Sequence, residues 1–138
     1  MRVFWDTNLF IYYFEQYGDL SRLVFGLRER MQARGAILVT STLALGELLV
    51  RVTQRDLAAA ARYREVVLAQ SEVWDFNLGA VEHYARIRAT SSVKSSDAIQ
   101  LACAAAARVD LFVTNDDRLS RQNIPGVPIL TSLQSAPI

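Results

Sequence analysis

Short apolar runs alternate along this chain with segments of helical periodicity, and that alternation limits its possible folds more than any other feature. The runs Arg2–Trp5, Ile37–Thr40 and Leu111–Thr114 have the length of strands and are rich in branched or aromatic residues. Between the first two runs, apolar residues recur at helical spacing from Leu20 to Met31. Strands that alternate with helices are typical of β/α units, so the sequence predicts an α/β fold with a mostly parallel sheet.

The predicted elements cover most of the chain. In order they are strand Arg2–Trp5, helix Asn8–Tyr17, a helix from Leu20 closed by Gly35, strand Ile37–Thr40, a helix capped by Ser41 or Thr42 and running to about Val52, helix Asp56–Gln70, strand Glu72–Phe76, a helix from Leu78 to about Thr90, a helix capped by Ser95 or Ser96 and running to about Arg108, strand Leu111–Thr114, a short helical turn Asp117–Gln122, and strand Val127–Leu130. We see no repeat and no linker, so we expect a single domain over residues 1–138. The tail after Thr131 is expected to be loose.

Composition excludes several classes of protein. Hydrophobic residues make up 51% of the 138 residues, which excludes a disordered chain. The formal charge of +1 provides no strong electrostatic argument for nucleic-acid binding. Cys103 is the only cysteine, so no disulfide can form within the chain. The sequence contains no apolar stretch long enough for a membrane span, and its start lacks a signal peptide, so we expect a cytoplasmic domain.

Four acidic side chains lie within or directly beside apolar runs. They are Asp6, Glu47, Asp97 and Asp116. An unpaired carboxylate is costly to remove from water, and the same segments contain no matching set of lysines or arginines. A divalent cation such as Mg²⁺ or Mn²⁺, which prefers oxygen ligands, would compensate all four.

The predicted elements place these acids at one end of the sheet. Asp6 and Asp116 directly follow strands, and Asp97 lies in the first turn of a helix that begins at the same edge. Glu47 lies about two turns into the helix that follows the second strand. Ligands of parallel α/β sheets bind beyond the carboxyl ends of the strands, so we expect the four acids to converge there. A metal held by them could activate water and stabilise charge on a phosphodiester.

Each acid also has a simpler interpretation. Asp6 could cap the helix that follows it, Asp97 could interact with a helix dipole, and Asp116 could form an Asx turn. Glu47 could pair with Arg51 one turn later. Its helix is apolar almost all round, however, so the pattern leaves Glu47 no solvent-facing side.

Polar residues beside the acids are candidates for supporting roles. Thr7 and Asn8 follow Asp6, while Thr114 and Asn115 precede Asp116. Hydroxyl and amide groups at these positions could orient a carboxylate or a metal-bound water, or they could simply form turns. A single histidine excludes a histidine-based metal site, and no phosphate-binding glycine motif occurs.

Four motifs appear together in the order found in the PIN domain, and the chain resembles the VapC-type toxins of toxin–antitoxin pairs from Arg2 to Leu130. The motifs are Val3–Asn8 around Asp6, Ala44–Leu48 around Glu47, Ser96–Ala102 around Asp97, and Phe112–Asp116. The resemblance implies a three-layer domain with a central sheet of about five strands flanked by helices.

The same resemblance implies a function and a site. The expected activity is metal-dependent cleavage of RNA by an endoribonuclease that uses Mg²⁺ or Mn²⁺. The acidic metal-binding set of the family corresponds to Asp6, Glu47, Asp97 and Asp116, with Thr114 in support and Asp117 as a further member. A homodimer and a cognate antitoxin protein are the expected partners.

Two other functions stay open on the sequence alone. A phosphoryl-transfer domain of the phosphatase or receiver type also has an aspartate after its first strand. The phosphatase would require a second acid at the position of Asn8, and the receiver would require a lysine after a late strand, whereas Lys94 precedes a helix. The other alternative is a non-catalytic module that keeps the fold for protein binding.

Overall fold

A parallel sheet of five strands forms the centre of the protein, in a computed structural model that describes residues 1–138. The strands lie in the order β3-β2-β1-β4-β5, and every neighbouring pair is parallel. Their bounds are β1 Arg2–Trp5, β2 Ile37–Ser41, β3 Glu72–Trp74, β4 Leu111–Thr114 and β5 Leu130–Ser132. The predicted α/β class and the mostly parallel sheet are confirmed.

Seven helices connect the strands and cover the sheet. They are α1 Thr7–Phe14, α2 Asp19–Ala33, α3 Thr42–Arg55, α4 Leu57–Gln70, α5 Leu78–Thr90, α6 Ser95–Ala106 and α7 Asp117–Ser120. No helix combines the length and the apolar character that a membrane span requires.

Two hydrophobic clusters lie on the two faces of the sheet. Side chains of successive strand residues point to opposite faces, and accordingly Phe4 belongs to one cluster whereas Val3 and Trp5 belong to the other. The Phe4 cluster packs the sheet against α5 and α6, and the Trp5 cluster packs it against α1 and α2. The result is three layers, helix–sheet–helix.

The register of the central strands places the ends of β1 and β4 side by side. Trp5 is the partner of Val113, and the backbone N–H of Asp6 donates to the carbonyl of Val113 at 3.0 Å. Because β2 is also parallel to β1, Ser41 ends its strand at the same edge of the sheet. This carboxyl edge of the sheet is the part of the fold that positions the candidate site.

The last strand lies later in the chain than predicted. We predicted Val127–Leu130, but β5 spans Leu130–Ser132 and pairs Leu130 with Phe112 of β4. Pro128 falls inside the predicted segment and has no N–H to donate to a ladder. The pairing with β4 therefore begins only after the proline.

The prediction of a loose tail is wrong. Leu133 is 2% exposed and Ile138 is 7% exposed, and both belong to the Trp5 cluster. The backbone N–H of Leu133 donates to the carbonyl of Thr114, and the Arg30 guanidinium donates to the carbonyl of Ile138. Apolar burial and these bonds hold the tail against the body of the protein.

The first helix is shorter than predicted. We expected Asn8–Tyr17, but α1 ends at Phe14. The hydroxyl of Ser21, a buried residue of α2, lies 2.7 Å from the carbonyl oxygen of Tyr12 and accepts from the backbone N–H of Tyr17. These bonds replace a further turn of α1, and propensity alone does not reveal them.

Candidate active site at the carboxyl edge of the sheet

Asp6 is the buried acid of the site. It is 7% exposed, directly follows β1 and serves as the N-cap of α1. Its Oδ1 accepts from the backbone N–H of Thr7 at 2.7 Å, and its Oδ2 accepts from the hydroxyl of Thr114 at 2.7 Å. The capping role and the buried acidic position therefore coexist, since one oxygen caps the helix while the other lies against β4.

Thr114 links Asp6 to the second strand-end acid. Its hydroxyl donates to Asp6 and accepts from the backbone N–H of Asp116 at 3.1 Å. Asp116 in turn caps α7 through the backbone N–H groups of Arg118 and Leu119. The predicted Asx turn is present, and it orients the Asp116 carboxylate at the edge of the sheet.

Gln100 connects the acids from the other side, and our reading of the sequence missed it. The residue is 3% exposed, and its Nε2 lies 3.2 Å from Asp6 Oδ1, 2.9 Å from Thr7 Oγ1 and 3.0 Å from Glu47 Oε1. Two amide hydrogens can satisfy two of these three acceptors at a time. Its Oε1 accepts from Ser41, the N-cap of α3, at 3.2 Å. A glutamine three residues after Asp97 inside an apolar helix was the available signal.

Glu47 is exposed, which contradicts our reading of its helix. Neighbouring positions such as Gly46 and Val50 are exposed too, because only one side of α3 packs against the protein. The carboxylate accepts from the Thr7 hydroxyl at 3.0 Å and from Gln100, so it is aimed at Asp6. It does not pair with Arg51, which lies 3.4 Å from the Tyr17 hydroxyl instead.

Asp97 and Asp116 open onto a cleft. The cleft has a volume of about 640 Å³ and contains both carboxylates in its lining, together with Lys94, Arg118 and Arg121. Asp97 is half-buried in the first turn of α6. The two acids therefore connect the buried Asp6 to a space that a ligand can enter.

The pKa shifts of Asp6 and Asp97 show that the four acids interact electrostatically. Burial raises the pKa of Asp6 to about 6, against hydrogen bonds from Thr114 and Thr7 that lower it, and the charges of Asp97 and Glu47 raise it further. Burial also raises the pKa of Asp97, with Lys94 opposing that rise and Asp116 and Glu47 adding to it. Lys94 thus partly stabilises the Asp97 carboxylate, whereas no cation lowers the pKa of Asp6.

The residues fit a divalent cation by chemistry, although they do not form a finished ligand set. The donors are all oxygens, which Mg²⁺ and Mn²⁺ prefer. The buried Asp6 carboxylate lacks a protein counter-ion. As the side chains stand, no three Asp, Glu, His or Cys groups lie close enough together to hold one ion. Binding would therefore require side-chain movement at Glu47, which is exposed, or at Asp97 and Asp116, which are partly exposed.

The remaining predicted support residues divide into two groups. Thr7 and Thr114 contact the acids directly. Asn8 instead accepts from the backbone N–H of Asn115 at 3.3 Å, and the Asn115 amide donates to Tyr12 at 3.0 Å. These two asparagines hold the loops after β1 and β4 together. Asp117 is exposed on α7, and its side chain makes no hydrogen bond.

Comparison with proteins of known structure identifies the fold. A structure of VapBC2 from Rickettsia felis bound to a promoter DNA fragment matches 96% of this chain and 98% of its own, with a TM-score of 0.76 and 21% identity. DNA-bound VapBC from Salmonella typhimurium matches the same shares with a TM-score of 0.67 and 24% identity. VapC20 of Mycobacterium tuberculosis, described as a toxin that cleaves the sarcin–ricin loop, covers 80% of this chain and 86% of its own with a TM-score of 0.60 and 16% identity.

Sequence comparison supplies the family. A search of curated proteins finds no significant match. The family model described as PIN domain matches residues 3–124, which include all four acids and Gln100. The sequence motifs, the five-stranded parallel sheet and this match agree, and the chain belongs to the PIN domain family.

Proposed function

We propose that this protein is a divalent-metal-dependent endoribonuclease and the toxin of a toxin–antitoxin pair. One observation carries the proposal: Asp6 is buried at the end of β1 within the field of Asp97 and Glu47, and no protein cation pairs with it. A protein does not retain such a cluster for stability, because clustered carboxylates repel one another. Membership of a nuclease family and the structural likeness to VapC toxins support the proposal.

The residues at the edge of the sheet have separable tasks in this proposal. Asp6, Glu47, Asp97 and Asp116 would hold Mg²⁺ or Mn²⁺, the class of cofactor that PIN nucleases generally use. Such a cation supplies positive charge to the phosphodiester and makes water a better nucleophile. Thr114 keeps Asp6 oriented, while Gln100 and Thr7 keep Glu47 turned toward the same space.

The decisive experiment separates fold from chemistry. Wild-type protein should cleave RNA with Mg²⁺ or Mn²⁺ and stop when EDTA is added, and Asp97→Asn should fold normally and lose cleavage. Asp75→Asn is a matched control, because Asp75 is exposed and its side chain makes no hydrogen bond. Cleavage by Asp97→Asn at the wild-type rate would refute the proposal.

Metal binding provides a readout that does not depend on activity. Calorimetry with Mn²⁺ should show binding to the wild-type protein and much weaker binding to Asp6→Asn. The separation of the acids in the structure favours one alternative, a non-catalytic PIN module that binds protein only. Failure to bind Mn²⁺ at millimolar concentration would support that alternative.

The partner proposals have their own tests. Expression of the protein alone should arrest growth of a bacterial host, and co-expression of its cognate antitoxin should restore growth. We also propose a homodimer, as the resemblance to VapC-type toxins implies; Val50 on α3 and Leu57 on α4 are exposed apolar side chains that such an interface would cover. Light scattering on the purified protein would detect it.

A further inference from the structure

The cleft beside Asp97 and Asp116 contains a set of cations that the proposed chemistry does not use. Lys94 immediately precedes α6, Arg118 lies in α7, and Arg121 directly follows α7. All three line the cleft, and all three are exposed. None of them forms an ion pair, whereas Arg2, Arg22 and Arg55 do.

The chemistry of the cleft favours one kind of ligand. Its lining contains two apolar side chains, Val93 and Leu119, and no aromatic one. Base stacking on aromatic rings therefore contributes nothing here, and the contacts that remain are charge and hydrogen bonding to a backbone. Arginine is well suited to such contacts because its guanidinium can bind two phosphate oxygens at once.

From this arrangement we propose that Lys94, Arg118 and Arg121 bind successive phosphates of single-stranded RNA and lead the strand to Asp97 and Asp116. The inference rests on the proposed function, since it names the surface by which that site receives its substrate. It also explains how a protein of formal charge +1 can bind nucleic acid, because three cations without ion pairs line one cleft and can each contact a phosphate. Affinity then depends on phosphate contacts and is largely indifferent to base sequence.

The expected size of the effect follows from counter-ion release. For single strands, each phosphate contact contributes a slope of about −0.7 to log K against log salt, which corresponds to about fivefold in affinity at about 0.1 M salt. Loss of all three contacts should weaken binding on the order of 100-fold and flatten the slope by about 2.

The test measures binding rather than cleavage. A labelled single-stranded RNA of randomised sequence is titrated in EDTA with wild-type protein, the three single alanine variants and the triple variant, over a series of salt concentrations. Arg64→Ala is the matched control, because Arg64 is exposed on α4, has no ion pair and lies outside the cleft. Arg118→Lys and Arg121→Lys should retain the salt slope, and thermal unfolding verifies that every variant folds.

Each outcome bears on the cleft assignment. Equal affinity and slope in the wild type and the triple variant would overturn it. Displacement of the RNA by polyglutamate as effectively as by unlabelled RNA would also overturn it, and would indicate an acidic protein as the occupant. If the wild type binds RNA with the expected slope but no metal supports cleavage, the proposed ribonuclease function fails and the cleft assignment stands. If the triple variant binds and cleaves RNA as the wild type does, the cleft assignment fails and the proposed ribonuclease function stands.

Discussion

Replacing Asp6 by asparagine should stabilise the metal-free protein at neutral pH even though it removes a proposed metal ligand. The reason is that the carboxylate is buried without a protein cation, and its pKa is raised from 3.8 to about 6. A group whose pKa is raised on folding binds protons more tightly in the folded chain than in the unfolded one. Its contribution to stability is therefore complete below pH 3.8 and is lost as the pH rises to about 6.

The magnitude follows from the shift. A rise of about two pKa units at about 1.36 kcal/mol per unit gives about 3 kcal/mol of stability lost above pH 6. An asparagine side chain has nearly the same shape as aspartate but cannot ionise, so the Asp6→Asn variant avoids this loss of stability. Its amide must nevertheless face donors from Thr114 and Gln100, and a lost hydrogen bond costs about 1 kcal/mol. We expect Asp6→Asn to be about 2 kcal/mol more stable than the wild type at neutral pH.

Urea unfolding in EDTA measures this difference. The gain in the free energy of unfolding should be near its full value at neutral pH and should disappear at about pH 4, where the wild-type carboxyl is largely protonated. Asp75→Asn, at an exposed position, should change stability little at either pH. The reasoning fails if Asp6→Asn is no more stable than the wild type at neutral pH, or if its gain is the same at both pH values.

Three further predictions concern burial. Gln100→Leu removes the acceptor of the Ser41 hydroxyl and the amide that donates to Glu47, so it should lower the free energy of unfolding by about 1–3 kcal/mol. Gln70→Leu, at an exposed position, should leave the free energy of unfolding unchanged. Equal urea midpoints for the two variants would contradict this prediction. Leu133→Ala should lower the free energy of unfolding by about 2–5 kcal/mol, because Leu133 is buried. Leu78→Ala, at a residue 87% exposed, is the control. Equal losses for the two variants would mean that the tail does not pack against the protein. Burial raises the pKa of the Cys103 thiol to about 11. A thiol reagent should therefore label the native protein very slowly and the urea-unfolded protein rapidly. Fast labelling of the native protein would contradict the buried position of Cys103.

Local sequence pattern was sufficient for the elements whose boundaries depend on nearby residues. Strands β1 and β4 and helix α5 lie where the apolar runs and the periodicity predicted them. The strand β5 was misplaced because its position depends on pairing with β4 and on the missing N–H of Pro128. The tail was misjudged because a hydrophobic cluster formed by distant residues buries it.

The candidate site likewise has features that follow from local sequence and features that depend on contacts between distant residues. The sequence by itself determined the α/β class, the PIN motifs and the order in which the acids occur, because these depend on periodicity and on spacing along the chain. Only the tertiary structure decided that Asp6 is buried while Glu47 is exposed, and that Gln100 lies between them. It likewise brought Lys94 into one cleft with Arg118. Burial and charge at a point depend on every segment packed around it, and parallel strands bring together residues that are about 100 positions apart in the chain.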